Sequence, residues 1–159
     1  MCTATLVAPN LVLTARHCVS EITAGGVSCT STGTPIAGGG VVNKDYAPSE
    51  LFVYRKQDAL ADIMADGTTV TRASATGTTL FVTGTSICNQ DLAFLVLDKN
   101  LPAPYAPVRL SGASTVGEPV MAVGYGLTEA GSIPSARRER ASVSVEFVGP
   151  FVVDQNTGY

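Results

Sequence analysis

Short apolar, β-prone runs recur along this chain, and each is broken within a few residues by Gly, Pro, Asn or Asp. They fall at Thr3–Val7, Leu11–Leu13, Leu51–Tyr54, Thr68–Arg72, Thr78–Thr83, Leu92–Leu97, Pro119–Val123 and Ser142–Val148. Many short strands separated by turn residues specify a sandwich or barrel, because such strands bury their apolar side only by packing on other strands. The 16 glycines and 9 prolines among 159 residues exclude a helical bundle, and 45% hydrophobic against 14% charged content excludes disorder. Only Gln57–Ala65 reads as a helix, with a short helical turn at Ala15–Val19. The Gly-rich, polar stretch Thr23–Gly40 predicts exposed loops. Leu101–Pro107 holds three prolines in seven positions, which blocks helix and central strand and predicts an extended connector at a domain boundary.

Ten basic against 13 acidic residues leave a net charge of -3, so no chain-wide positive field exists to attract a phosphate backbone, and nucleic acid is not an expected partner. The uncharged stretches Ile22–Asn43 and Ala73–Gln90 are filled with Gly, Thr and Ser, so no membrane span is expected. The opening MCTATLVAPN has no basic segment ahead of an apolar one and reaches Pro9 too early for a secretory signal. The expectation is that a signal was removed or that the chain starts inside its natural protein.

His17 is the only histidine, placed just after a strand in Leu13-Thr14-Ala15-Arg16-His17-Cys18. A lone histidine is most often a satisfied core or surface residue, so its neighbours decide its meaning. Asp91 opens the apolar run Leu92–Leu97, where a partly desolvated carboxylate needs a donor, and a histidine Nδ1–H can supply one. The two residues are therefore expected to meet in space. Four cysteines allow three disulfide connectivities, and with no Cys-x-x-Cys spacing a zinc site is disfavoured. Asp58, Asp62 and Asp66 recur every four residues, which reads as a solvated helix face and not a calcium loop. Gly38–Gly40 and Gly124-Tyr125-Gly126 lack the rest of any nucleotide-binding motif, so no cofactor and no metal are expected. Arg137–Arg140 reads as the exposed start of the last strand.

Taken together, three segments resemble the trypsin-like (chymotrypsin-fold) serine protease family. Cys2–Cys18, ending in Leu13-Thr14-Ala15-Arg16-His17-Cys18, is similar to its histidine motif with the cysteine partner at the same separation. Asp91-Leu92-Ala93-Phe94-Leu95 is similar to its aspartate motif, and Gly117–Gly126 to the first strand of its second barrel. The resemblance implies an all-β, antiparallel double β-barrel, with a nearly complete first barrel at 1–112 and the opening strands of a partial second barrel at 113–159. It implies a serine endopeptidase in which His17 is general base and then general acid while Asp91 orients it. It also implies a Cys2–Cys18 disulfide, which leaves Cys29 and Cys88 as a second pair, and a protein or peptide substrate. Two disulfides predict an oxidising setting, secreted, extracellular or periplasmic.

The chain departs from the family in two places. Arg16 replaces the small residue usual before the histidine and is expected to hold its head in solvent. The family's Gly-Asp-Ser-Gly-Gly turn, which presents the nucleophilic serine, is absent. Ser111 and Ser114 precede the second-barrel strand and read as linker residues. The expectation is a chain truncated at both ends, inactive alone and prone to associate with a complementing chain. The alternative is a non-catalytic protease homologue acting as a peptide- or protein-binding module.

Overall fold

The computed structural model describes residues 1–148 apart from 24, 31, 37, 127–130 and 132–135. Nine strands and one α-helix follow in order: β1 Thr5–Ala8, β2 Leu11–Thr14, β3 Ser20–Ile22, β4 Val42–Asp45, β5 Phe52–Val53, α1 Ala59–Asp66, β6 Ala75–Val82, β7 Ala93–Leu97, β8 Pro119–Gly124 and β9 Arg138–Ser144. Single 3₁₀ turns occupy Arg16–Cys18 and Pro48–Glu50. Five strands form one antiparallel sheet in the order β1-β2-β7-β6-β5, while β3–β4 and β8–β9 are separate two-stranded ribbons. The described chain is thus mostly β and antiparallel, with one helix, in line with the antiparallel all-β expectation.

Pro9-Asn10 turns the chain from β1 into β2, whose residues Leu11–Thr14 then run antiparallel to Val96–Ala93 of β7. On β7, Ala93, Leu95 and Leu97 are buried while Phe94 and Val96 are only partly covered, the period-two signature of one inward face. Leu95 and Leu97 pack with Val12, Ala75 and Leu101, and Leu6, Leu51, Val53 and Leu80 close around them. Gly77 of β6 is needed for this packing. A Cβ there would lie 2.5 Å from the Pro48 carbonyl oxygen and 2.6 Å from Leu95 Cδ1, and the β6–β7 register shifts between Gly77 and Thr79.

The Pro-rich connector holds neither helix nor strand, as expected, but it bends at Pro102–Ala103, where Ala103 N–H closes on the Leu101 carbonyl, and it is not detached. Leu101 N–H donates to the Pro9 carbonyl and Ala106 N–H to that of Leu6, and the Leu101 side chain joins the core. Thr68–Arg72 is not a strand, because the Asp66 carboxylate takes the Arg72 N–H at 2.9 Å and the Thr71 hydroxyl at 2.8 Å. Those bonds offer the backbone an alternative to a ladder. The expected solvated face of α1 is also corrected. Asp62 and Asp66 are buried, Asp62 paired with Lys56 at 2.7 Å and Asp66 bonded to the Tyr54 hydroxyl at 2.9 Å. Burial alone would raise the Asp66 pKa, but hydrogen bonds from Arg72 N–H, Thr71 and Tyr54 outweigh it and bring it down from 3.8 to about 2. The ribbon β8–β9 begins its second strand at the Arg138–Arg140 cluster, as expected, and ends it at Ser144 rather than Val148.

Candidate active site

The 3₁₀ turn Arg16–Cys18 leaves β2 through an extended Ala15, and the Cys18 and Val19 N–H groups close it onto the Ala15 and Arg16 carbonyls. Cys18 is disulfide-bonded to Cys2 with 5.9 Å between Cα atoms, which pins the turn to the segment entering β1. At the other side, Cys88 is bonded to Cys29 and is itself buried. A tight turn closed by Gln90 N–H on the Ile87 carbonyl then aims Asp91 back at the histidine just before β7 begins.

The two residues meet through both carboxylate oxygens. His17 Nδ1 lies 2.7 Å from Asp91 Oδ2, and the His17 backbone N–H donates to Asp91 Oδ1 at 2.9 Å. A carboxylate offers only acceptors, so Nδ1 carries the proton and Nε2 of the neutral ring holds a free lone pair directed away from Asp91. The pair is less enclosed than sequence reading implies: the His17 side chain is 51% exposed and that of Asp91 35%. A pocket of about 330 Å³ opens beside the ring, lined by Met1, Cys2, Thr3, Ala15, His17, Cys18, Tyr125 and Gly126. It brings the end of β8 next to the histidine turn, where Tyr125 N–H donates to Thr3 Oγ1 at 3.1 Å. No serine lines that pocket among the described residues. Ser114 instead accepts a bond from Arg109 Nη2 at 2.7 Å in the exposed connector.

Residues 2–147 match the family model of the trypsin-like peptidase domain. The chain belongs to the trypsin-like peptidase family. Comparison with curated proteins and with solved structures finds no match. In this trypsin-like chain, Cys2, His17 and Cys18 also cluster closely enough to suggest a metal site. Both sulfurs are spent on each other, and a disulfide presents no thiolate to zinc.

Arg16 is the residue that sequence reading misplaced. Its side chain is 4% exposed, not solvated, with Nη2 3.2 Å from Asp45 Oδ1 and Nη1 2.5 Å from the Gly84 carbonyl oxygen. The available signal was an arginine inside the short apolar stretch Val12–Val19, which contains no acid to pair with it locally.

Proposed function

We propose that this chain carries the general-base half of a serine endopeptidase, with His17 as base and then acid and Asp91 as its orienting carboxylate. The observation that carries the reading is the two-point grip of Asp91 on His17, 2.7 Å at the ring and 2.9 Å at the backbone. That grip leaves Nε2 as the basic atom of a ring that lines an open pocket. The chemistry is the family's established triad mechanism. His17 Nε2 takes the proton of a serine hydroxyl as its Oγ attacks the scissile carbonyl carbon. Asp91 stabilises the imidazolium that forms, and His17 returns the proton to the departing amine. The same base then activates the water that hydrolyses the acyl-enzyme.

The nucleophile is proposed to come from chain beyond these 159 residues. The absence of a Gly-Asp-Ser-Gly-Gly turn supports this, as does a pocket with no serine among the described residues. In this reading residues 1–112 form the first barrel and residues from 113 open the second. The exposed apolar side chains Val120, Met121 and Val123 would then face later strands or a complementing chain. The substrate is a peptide or protein. Two disulfides support an extracytoplasmic setting, and among the described residues no helix is long and apolar enough to cross a membrane.

A serine-directed fluorophosphonate probe tests the reading. The 159-residue chain alone is expected to stay unlabelled, the full gene product to be labelled at one serine, and His17→Ala to abolish that labelling. A full gene product that binds peptides yet never labels would establish the non-catalytic homologue instead.

A further inference from the structure

The pair His17–Asp91 is half exposed, so its two hydrogen bonds orient the ring but, competing with water, do little to hold the two turns that carry the residues. The β2–β7 ladder, which pairs Thr14 with Ala93, and the Cys2–Cys18 disulfide bring the turns near each other, and the buried side of the same turns adds a further tie. We propose that Arg16 is the positioning residue of the His17–Asp91 pair, its buried guanidinium tying the turn that carries the histidine to the turn that carries the aspartate. The inference rests on the reading of His17 and Asp91 as the working pair.

The guanidinium spans two elements. Nη1 donates to the carbonyls of Thr83 and Gly84, just past the end of β6, and Nη2 donates to both Asp45 oxygens at 3.2 and 3.4 Å, at the end of β4. Asp45 is held in turn by the Ser20 hydroxyl at 2.6 Å. Gly84 adopts φ +72°, and a Cβ there would overlap the Gln90 side-chain amide. The absent side chain thus lets Gln90, the residue before Asp91, pack directly on the peptide that Arg16 grips. A continuous path of contacts therefore leads from the residue before His17 to the residue before Asp91. Burying a cation is costly unless it is paired and hydrogen-bonded, so the guanidinium has one low-energy position, and the two turns inherit it. Arg16 Nε has no partner among the described residues, a further cost that a surface-exposed arginine would not meet.

The single histidine makes the test direct, because its ring gives the one imidazole signal in an NMR spectrum. The readout is exchange of the Nδ1-bound proton with solvent in ¹⁵N-labelled chain, with Asp91→Asn as the reference that breaks the pair. The double variant Arg16→Met/Asp45→Leu removes both charges together, so no uncompensated buried charge is left behind. It is expected to form both disulfides and to exchange the Nδ1 proton roughly tenfold faster, the factor equivalent to 1.4 kcal/mol. Arg16→Lys keeps the charge but cannot grip both sides, and an intermediate acceleration is expected. In the full gene product, Arg16→Met is expected to lower kcat by roughly 10²-fold with KM unchanged, the cost of misplacing a reacting group by about 1 Å.

Unchanged exchange in a folded Arg16→Lys or double variant, with acceleration in Asp91→Asn, would overturn the positioning role and leave the pair intact. If the double variant does not fold, Arg16→Lys decides alone. No acceleration in Asp91→Asn would remove the His17–Asp91 bond itself, and the proposal with it.

Discussion

Strands β7 and β8 are built from similar residues and meet opposite fates. Ala93, Leu95 and Leu97 of β7 are buried, whereas Val120, Met121 and Val123 of β8 stay exposed. The difference is in the neighbours. β7 lies between β2 and β6 with a core on its inner face, while β8, among the described residues, pairs only with β9. The ribbon is joined to the rest by a few polar contacts, among them Tyr125 Oη donating to the Lys56 carbonyl at 2.5 Å and Gln57 Nε2 to the Arg137 carbonyl at 2.6 Å. An apolar strand pattern thus specifies a strand, but burial needs a second layer, and a two-stranded ribbon alone is marginal in water. The histidine and aspartate sit on the part with a core, and the pocket beside them is bounded by the part without one.

If these are two regions of unequal stability, removing the disulfides should separate them most. Cys29→Ala/Cys88→Ala opens a 59-residue link and should cost about 4 kcal/mol; Cys2→Ala/Cys18→Ala opens one of 16 and should cost about 3 kcal/mol. Both losses should appear in the denaturation of the five-stranded sheet while amide exchange in β8–β9 stays fast and unchanged. Exchange in β8–β9 that slows and quickens together with the sheet would make the two a single cooperative unit and break the comparison.

Leu95→Ala should cost about 3 kcal/mol through the cavity it leaves. Acid should act on the same region. Because Asp66 holds its proton more weakly folded than unfolded, its stabilisation is complete above 3.8 and is lost as pH falls towards about 2. Asp66→Asn should flatten that part of the pH–stability profile, and an unaltered acid transition would refute the role given to the carboxylate. Val123→Ala should have the smallest effect, under about 0.5 kcal/mol by urea denaturation, as for an exposed site. A larger loss would mean that the apolar face of β8 is covered in solution.

The opening hairpin, the histidine turn, β7 and the meeting of His17 with Asp91 were legible because each is signalled locally, by a turn dipeptide, a break in the strand pattern or an apolar run with an acid at its mouth. β3 and β4 were not singled out, since Ser20-Glu21-Ile22 and Val42-Asn43-Lys44-Asp45 have polar composition and border a Gly-rich stretch. Thr68–Arg72 was misleading because its β-propensity loses to a carboxylate six residues or fewer away in sequence. Arg16 was misread for a related reason. Its partners Asp45, Thr83 and Gly84 are distant in sequence, and only the folded chain brings a charge and its acceptors together.

The most direct test of the account is turnover of a peptide substrate by the full gene product carrying Asp91→Asn or His17→Ala. In the trypsin-like family, from which the figure comes, losing the orienting carboxylate lowers kcat by about 10⁴-fold, and the account predicts a loss of that order for Asp91→Asn and at least as great for His17→Ala, with both proteins folded. Turnover that survives His17→Ala undiminished would contradict it.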